Sequence, residues 1–248
     1  MGIDVIKTMY RQEIIRQDNC EIHNIEFNIV RTYYGESFFD SGECPECKIE
    51  REKKEVEEQK QKAALQAKQR RIKEALENGI GEKYIDCTLD NYEHIERVPK
   101  VVDFYNEPKN KILLMVGTNG TGKTHLGSAI AFRWRGLYYT FGRLLRKAYN
   151  IDKRDEVTEQ CIKAPMLVID EIGKGSNTDF SRDLLYTIVD ERYLTKKPSV
   201  LITNLQPKEF VELVGKSFIS RIKEVGVREN MIWDDFREKN NIFKELKV

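Results

Sequence analysis

The chain has 248 residues, 40% of them hydrophobic, enough to bury a core in one large domain or in a medium domain with a small attachment. Its 42 basic and 41 acidic side chains leave a formal net charge of +1, so attraction to nucleic acid has to come from a local patch, not from a global field. The longest apolar runs, such as 112–116 and 166–169, are far too short to cross about 30 Å of hydrocarbon, and the first residues lack a secretory leader's apolar stretch and cleavage site. The expectation is a cytoplasmic protein with no membrane contact, in which the five cysteines serve metal more readily than disulfides.

Near the start, Cys20-Glu-Ile-His23 and Cys44-Pro-Glu-Cys47 form two ligand pairs, each with two intervening residues. That spacing predicts a closed tetrahedral zinc site of three thiolates and one imidazole, which is structural because no position is left open. Cys87 and Cys161 have no such neighbours. The segment that follows, roughly 49–78, is dense in charge and free of Pro and Gly, and places Glu50/Lys54 and Glu58/Lys62 at i,i+4. Ile49, Val56 and Ala63 are too weak a seam for a coiled coil, so a solvated connecting helix is expected, ended by Gly79 and Gly81.

Beyond Pro108 the apolar runs Ile112 to Val116, Leu137 to Phe141, Met166 to Ile169 and Ser199 to Thr203 alternate with segments of helical length. Continuous apolar strands of this kind belong in a parallel sheet covered on both faces, a doubly wound α/β architecture. Gly117-Thr-Asn-Gly-Thr-Gly-Lys-Thr124 fits the P-loop pattern between the first of those strands and a helix expected over 123–134. Such a loop turns its N–H groups toward phosphate oxygens. The expected nucleotide contacts are Gly117, Thr118, Asn119, Gly120, Thr121, Gly122, Lys123, Thr124 and His125, with Lys123 on the β/γ-phosphates and the Thr124 hydroxyl on Mg²⁺. Met166-Leu-Val-Ile-Asp-Glu171 ends an apolar strand in two carboxylates, the Walker B pattern: Asp170 for the magnesium ion, Glu171 for the attacking water.

Taken with Asp190-Glu-Arg-Tyr193, Pro198-Ser-Val-Leu-Ile-Thr-Asn-Leu205, the Ser220-Arg221 box and Trp233-Asp-Asp-Phe-Arg237, these motifs resemble the DnaC/DnaI helicase loaders and their relatives, the IstB transposition helper ATPases. The resemblance covers roughly 80–240 and implies an AAA+ ATPase fold. It assigns Asn204 as the polar sensor of the γ-phosphate and its water, and Arg221 as an arginine finger reaching a neighbouring subunit's ATP; Arg221 paired with Glu224 on its own helix is the plainer alternative. It also implies little room for a helical lid, with Arg237 as a stand-in for a lid-borne arginine. Two departures stand out: Gly81 where the family commonly has proline, and Asn24 where zinc-bearing loaders usually carry glycine.

The resulting division is a zinc-binding, helicase-interacting domain over 1–48, a helical linker over 49–79 and an AAA+ domain over 80–248. The expected cofactors are ATP, Mg²⁺ and Zn²⁺, and the expected partners are a replicative helicase hexamer, single-stranded DNA and further copies of the chain. A DNA surface is sought in Arg143, Arg146 and Lys147, flanked by the aromatics Phe141 and Tyr149. The alternative function is an IstB-like transposition helper.

Overall fold

The computed structural model describes residues 10–174 and 178–233. The chain forms two compact units, Met1–Gln69 and Arg70–Val248, and the division falls inside a helix.

In the first unit β1 (Tyr10–Asn19), β2 (Glu26–Tyr34) and β3 (Ser37–Ser41) pair antiparallel in the order β1-β2-β3. Nothing in the residue pattern predicted this sheet. Its strands are rich in charged and polar residues, and only Cys20, Ile29, Thr32 and Cys44 are buried among the described residues of the unit. The solvated helix expected over 49–78 is observed as α1 (Pro45–Glu77), exposed along nearly all its length. Its charges pair one step out of the expected register: Lys54 faces Glu58 at 3.9 Å, because Glu50 lies 3.3 Å from the His23 ring. In a chain that alternates Glu and Lys every four residues, both registers have the same spacing.

The second unit begins with the last turns of α1. Glu74 binds the Arg135 guanidinium, Ala75 is buried, and Gly79 takes the left-handed conformation, φ +99°, that closes the helix. An added Cβ at Gly79 would meet the Tyr138 carbonyl oxygen at 2.1 Å, so glycine is required here by both backbone and space. After α2 (Pro99–Asn106) comes a five-stranded parallel sheet: β4 (Ile112–Gly117), β5 (Leu137–Thr140), β6 (Leu167–Ile172), β7 (Ser199–Thr203) and β8 (Gly226–Met231), in the order β5-β6-β7-β4-β8. The intervening helices are α3 (Lys123–Arg133), α4 (Phe141–Ala148), α5 (Ile151–Lys163), α6 (Asp179–Leu194) and α7 (Pro207–Val225), the last kinked at Gly215.

Strand β4 shows why continuous apolar runs are needed. Ile112, Leu114 and Val116 enter a core with α4 to α7, while Leu113 and Met115 enter another with α2 and α3. Edge strand β8 was not apparent in the sequence: Gly-Val-Arg-Glu-Asn-Met has no apolar run. Its Glu229 carboxylate instead accepts the Lys100 N–H at 3.1 Å at the start of α2. Phe141, expected to end a strand, opens α4 and is buried in the core.

Candidate functional site

Because all five strands run parallel, their carboxyl ends share one edge, and β4, β6 and β7 deliver their motifs into a cleft of about 270 Å³. The loop after β4 is held from below by Tyr92, whose buried hydroxyl donates to the Thr121 carbonyl at 2.8 Å. Gly122 has φ +84°, and an added Cβ would come within 2.5 Å of the Tyr92 ring. The loop can therefore lie on that ring only with glycine at this position. The Lys123 ammonium is buried inside the loop, donating to the Gly117 carbonyl at 3.0 Å and the Thr121 hydroxyl at 3.3 Å. These contacts aim it across the loop that α3 extends.

Asp170 lies buried on β6, facing the start of α3. Its Oδ2 accepts the Thr124 hydroxyl at 2.8 Å, and its Oδ1 accepts the Glu171 backbone N–H at 2.6 Å. The β6–β7 register slips between Ile169 and Ile172, and Glu171 has φ +59°, an uncommon conformation for a residue with a side chain. The slip carries the Glu171 carboxylate out of the strand's alternation and into the cleft, where it receives the Lys174 ammonium at 2.7 Å. From the end of β7, the Asn204 amide donates to the Asn119 side chain at 2.7 Å. The nine nucleotide-contact positions named from the sequence thus share one edge of the sheet with Asp170, Glu171 and Asn204. Of the nine, Asn119 to His125 line the cleft itself. His125 points its ring to the Thr88 carbonyl, 2.8 Å away, and against Tyr92.

Three contributors were missing from the sequence-based site. Lys83 and Tyr84, in a short 3-10 turn (Glu82–Tyr84), line the cleft, as does Lys174. The basic-aromatic stretch after Gly81 is the one sequence signal for the first two.

Arg221 does not line this cleft. Its guanidinium pairs with Asp190 on α6, stacks over Tyr186 at 5.1 Å and donates to the Ser217 carbonyl at 3.2 Å. Glu224 is not its partner; that carboxylate accepts the Tyr193 hydroxyl at 2.7 Å. The reason is reach across α6 and α7: Asp190 and Tyr186 lie one helical turn apart and face the arginine together. Arg143, Arg146 and Lys147 are exposed on one side of α4, opposite buried Leu144, Leu145 and Ala148. Their aromatic flank differs from the expectation. Buried Phe141 offers no free face, and Tyr149 packs on Phe180 at 4.9 Å. Arg237 and the rest of its box after Trp233 lie outside the described residues.

In the first unit, one ligand atom each from Cys20, His23, Cys44 and Cys47 lies within 4.8 Å of the others. His23 Nδ1 is 3.6, 3.7 and 3.4 Å from the sulfurs of Cys20, Cys44 and Cys47, and the Cys20 and Cys47 sulfurs are 3.5 Å apart. Ligands of a tetrahedral zinc ion, with bonds of about 2.0–2.3 Å, stand roughly 3.5–3.8 Å from one another, so the donor set fits that metal. Glu50 lies 3.3 Å from the remote Nε2, the usual way a carboxylate fixes which imidazole nitrogen faces the ion. Asn24 turns the first knuckle at φ +53°, a left-handed conformation that asparagine tolerates better than most side chains, and so replaces the customary glycine. The Cys20 thiol is lowered to about 6, chiefly by the His23 backbone N–H, and Cys47 is pushed up to about 12, chiefly by its hydrogen bond to Cys20. Crowded sulfurs share protons in this way, and a divalent cation replaces them. Cys161, by contrast, is buried and pushed up to about 12 by desolvation, and so is inert.

With the geometry in place, comparison with known proteins gives three findings. A family profile described as "IstB-like ATP binding protein" matches residues 45–220. The replicative helicase loader DnaC of Buchnera aphidicola subsp. Acyrthosiphon pisum (strain APS) is 29% identical over 180 residues, spanning 65% of this chain and 73% of that protein. Among solved structures, a DnaC helicase loader superposes with TM-score 0.54 at 24% identity over 61% of this chain and 99% of its own. The initiator DnaA, bound to AMPPCP and single-stranded DNA, does so with TM-score 0.53 at 20% identity over 68% and 59%. These structural likenesses concern the fold: a parallel P-loop sheet of AAA+ type. No helix among the described residues is long and apolar enough to cross a membrane.

Proposed function

Because the chain belongs to the family of IstB-like ATP binding proteins, we propose that it is a magnesium-dependent ATPase that binds a replicative helicase and delivers it onto single-stranded DNA. One observation carries the nucleotide part of this reading: the Thr124 hydroxyl and the Asp170 carboxylate meet at 2.8 Å beside the P-loop. Thr124 and Asp170 would hold Mg²⁺, which screens phosphate charge when bound. Lys123, aimed at loop carbonyls, is the group that turns to the β/γ-phosphates. Glu171 orients and deprotonates water once its carboxylate leaves Lys174, and Asn204 fixes that water from β7. Arg221 serves a neighbouring copy's nucleotide, and Asp190 and Tyr186 hold it ready on the outer side of α6.

The DnaC relatives and the donor set of Cys20, His23, Cys44 and Cys47 support helicase loading over the alternative, an IstB-like transposition helper, which the family profile's own description favours. In this reading the zinc-bearing unit recognises the helicase and the second unit responds to ATP. Two variants test the chemistry. Lys123→Ala should abolish ATP binding, whereas Glu171→Gln should bind ATP and fail to hydrolyse it. Hydrolysis by Glu171→Gln at the unsubstituted rate would remove Glu171 from its role as base.

A further inference from the structure

The Asp170 carboxylate has a third donor that none of the sequence motifs names. Tyr138, on β5, is 5% exposed, and its hydroxyl donates to Asp170 Oδ2 at 2.5 Å, the same oxygen that accepts Thr124. The parallel register pairs Tyr138 with Val168, two residues before Asp170 on β6, so both side chains share the face covered by α3. Gly127 lets α3 approach that face closely. A Cβ there would press on Ile202 at 2.7 Å and Val168 at 3.2 Å, and would touch the Tyr138 ring at 3.6 Å. Without that side chain, α3 lies close on the sheet and the phenol reaches Asp170 from beneath.

We propose that Tyr138 is a positioning residue for the divalent cation: its hydroxyl locks the Asp170 carboxylate in the rotamer that keeps Oδ2 on Thr124. Three donors on two oxygens leave the carboxylate no freedom to turn. With the phenol removed, only Thr124 and one backbone N–H hold it, and Thr124 must also serve the metal. Tyr138 acts through Asp170 and does not line the cleft itself. The proposal rests on the assignment of the cleft to Mg²⁺ and nucleotide.

Tyr138→Phe in the full chain keeps the ring and deletes the hydroxyl. Mn²⁺, titrated by electron paramagnetic resonance in the presence of a non-hydrolysable ATP analogue, should bind about tenfold more weakly, as expected for one hydrogen bond to a charged group. Binding of the same analogue in EDTA should be unchanged. In turnover, half-saturating Mg²⁺ should rise by a similar factor, while kcat at saturating Mg²⁺ stays within about twofold. Tyr139→Phe, a buried tyrosine facing the opposite core, is the control and should leave Mn²⁺ affinity unchanged. Equal Mn²⁺ affinity in Tyr138→Phe and the unsubstituted protein, or an equal loss in Tyr139→Phe, would overturn the proposal while leaving the cleft's assignment intact. Absence of Mn²⁺ binding by the unsubstituted protein with nucleotide would overturn both.

Discussion

Replacing Cys44 by serine should separate the two units of the molecule. The first unit buries one aliphatic side chain, Ile29, among its described residues, and that contributes only about 2–3 kcal/mol. Ordering the backbone opposes folding by about 1–2 kcal/mol for each residue, so the strands β1 to β3 cannot rest on hydrophobic burial. A four-ligand zinc site in a small domain contributes on the order of 10 kcal/mol or more. Cys44 is one of the four candidate ligands and anchors the junction of the sheet with α1, where the Lys48 N–H donates to its carbonyl at 2.9 Å. Cys44→Ser should therefore lose the metal, the protection of amides across residues 10–41 and helicase binding, while binding of an ATP analogue stays within about twofold, because the cleft's residues all belong to the second unit. Metal analysis of the full chain should find about one zinc ion per unsubstituted protomer, and hydrogen exchange should follow the sheet. Acid should release the ion too, since protons compete for the thiolates and the imidazole. Full zinc content in Cys44→Ser, or unchanged exchange in β1 to β3 after the metal is stripped, would refute this reasoning.

Arg192 is fully buried and donates to the carbonyls of Cys161, Ile162, Ala164 and Pro198 and to the Ser199 hydroxyl; Arg192→Met should cost about 3 kcal/mol by stranding these acceptors, lowering Tm by about 6–12 °C in a scanning melt. A shift under about 2 °C would mean that water or neighbouring groups satisfy them. Mixing Lys123→Ala with Arg221→Ala should restore hydrolysis if one copy's P-loop is completed by another's arginine, and no recovery at any ratio, with both variants folded and associating, would return Arg221 to a purely structural pairing with Asp190. Reversing Arg143 and Arg146 to Glu should weaken single-strand binding at low salt by at least tenfold and flatten its salt dependence; unchanged binding would clear α4 of that role.

What was legible in the sequence was what the chain repeats in one-dimensional form. Ile112 to Val116, Leu167 to Ile169 and Val200 to Ile202 are apolar throughout because both faces of their strands are covered, and the P-loop and the Asp170-Glu171 pair follow the first two of these runs. The grouping of Cys20, His23, Cys44 and Cys47 was legible from spacing alone. Strands β1 to β3 and β8 were not, since strands largely exposed or lying at an edge carry no clear apolar alternation to read. Tyr138 and Tyr139 look alike in sequence; only the pairing of β5 with β6 decides which of them reaches Asp170. Arg192 reads as one more charge on a helix until the loops it ties together fold around it. Glu224, the alternative partner for Arg221, is near it in sequence, whereas Asp190 is near it in space and takes the pairing.

The proposed function requires that nucleotide in the cleft govern engagement of a replicative helicase. Association of the full chain with a purified helicase hexamer, followed by sedimentation with and without ATP, tests it most directly. Glu171→Gln should hold the complex in ATP, Lys123→Ala should form it without regard to nucleotide, and Cys44→Ser should fail to form it. A complex absent under every condition, or one formed by Cys44→Ser as readily as by the unsubstituted chain, would contradict the proposed function.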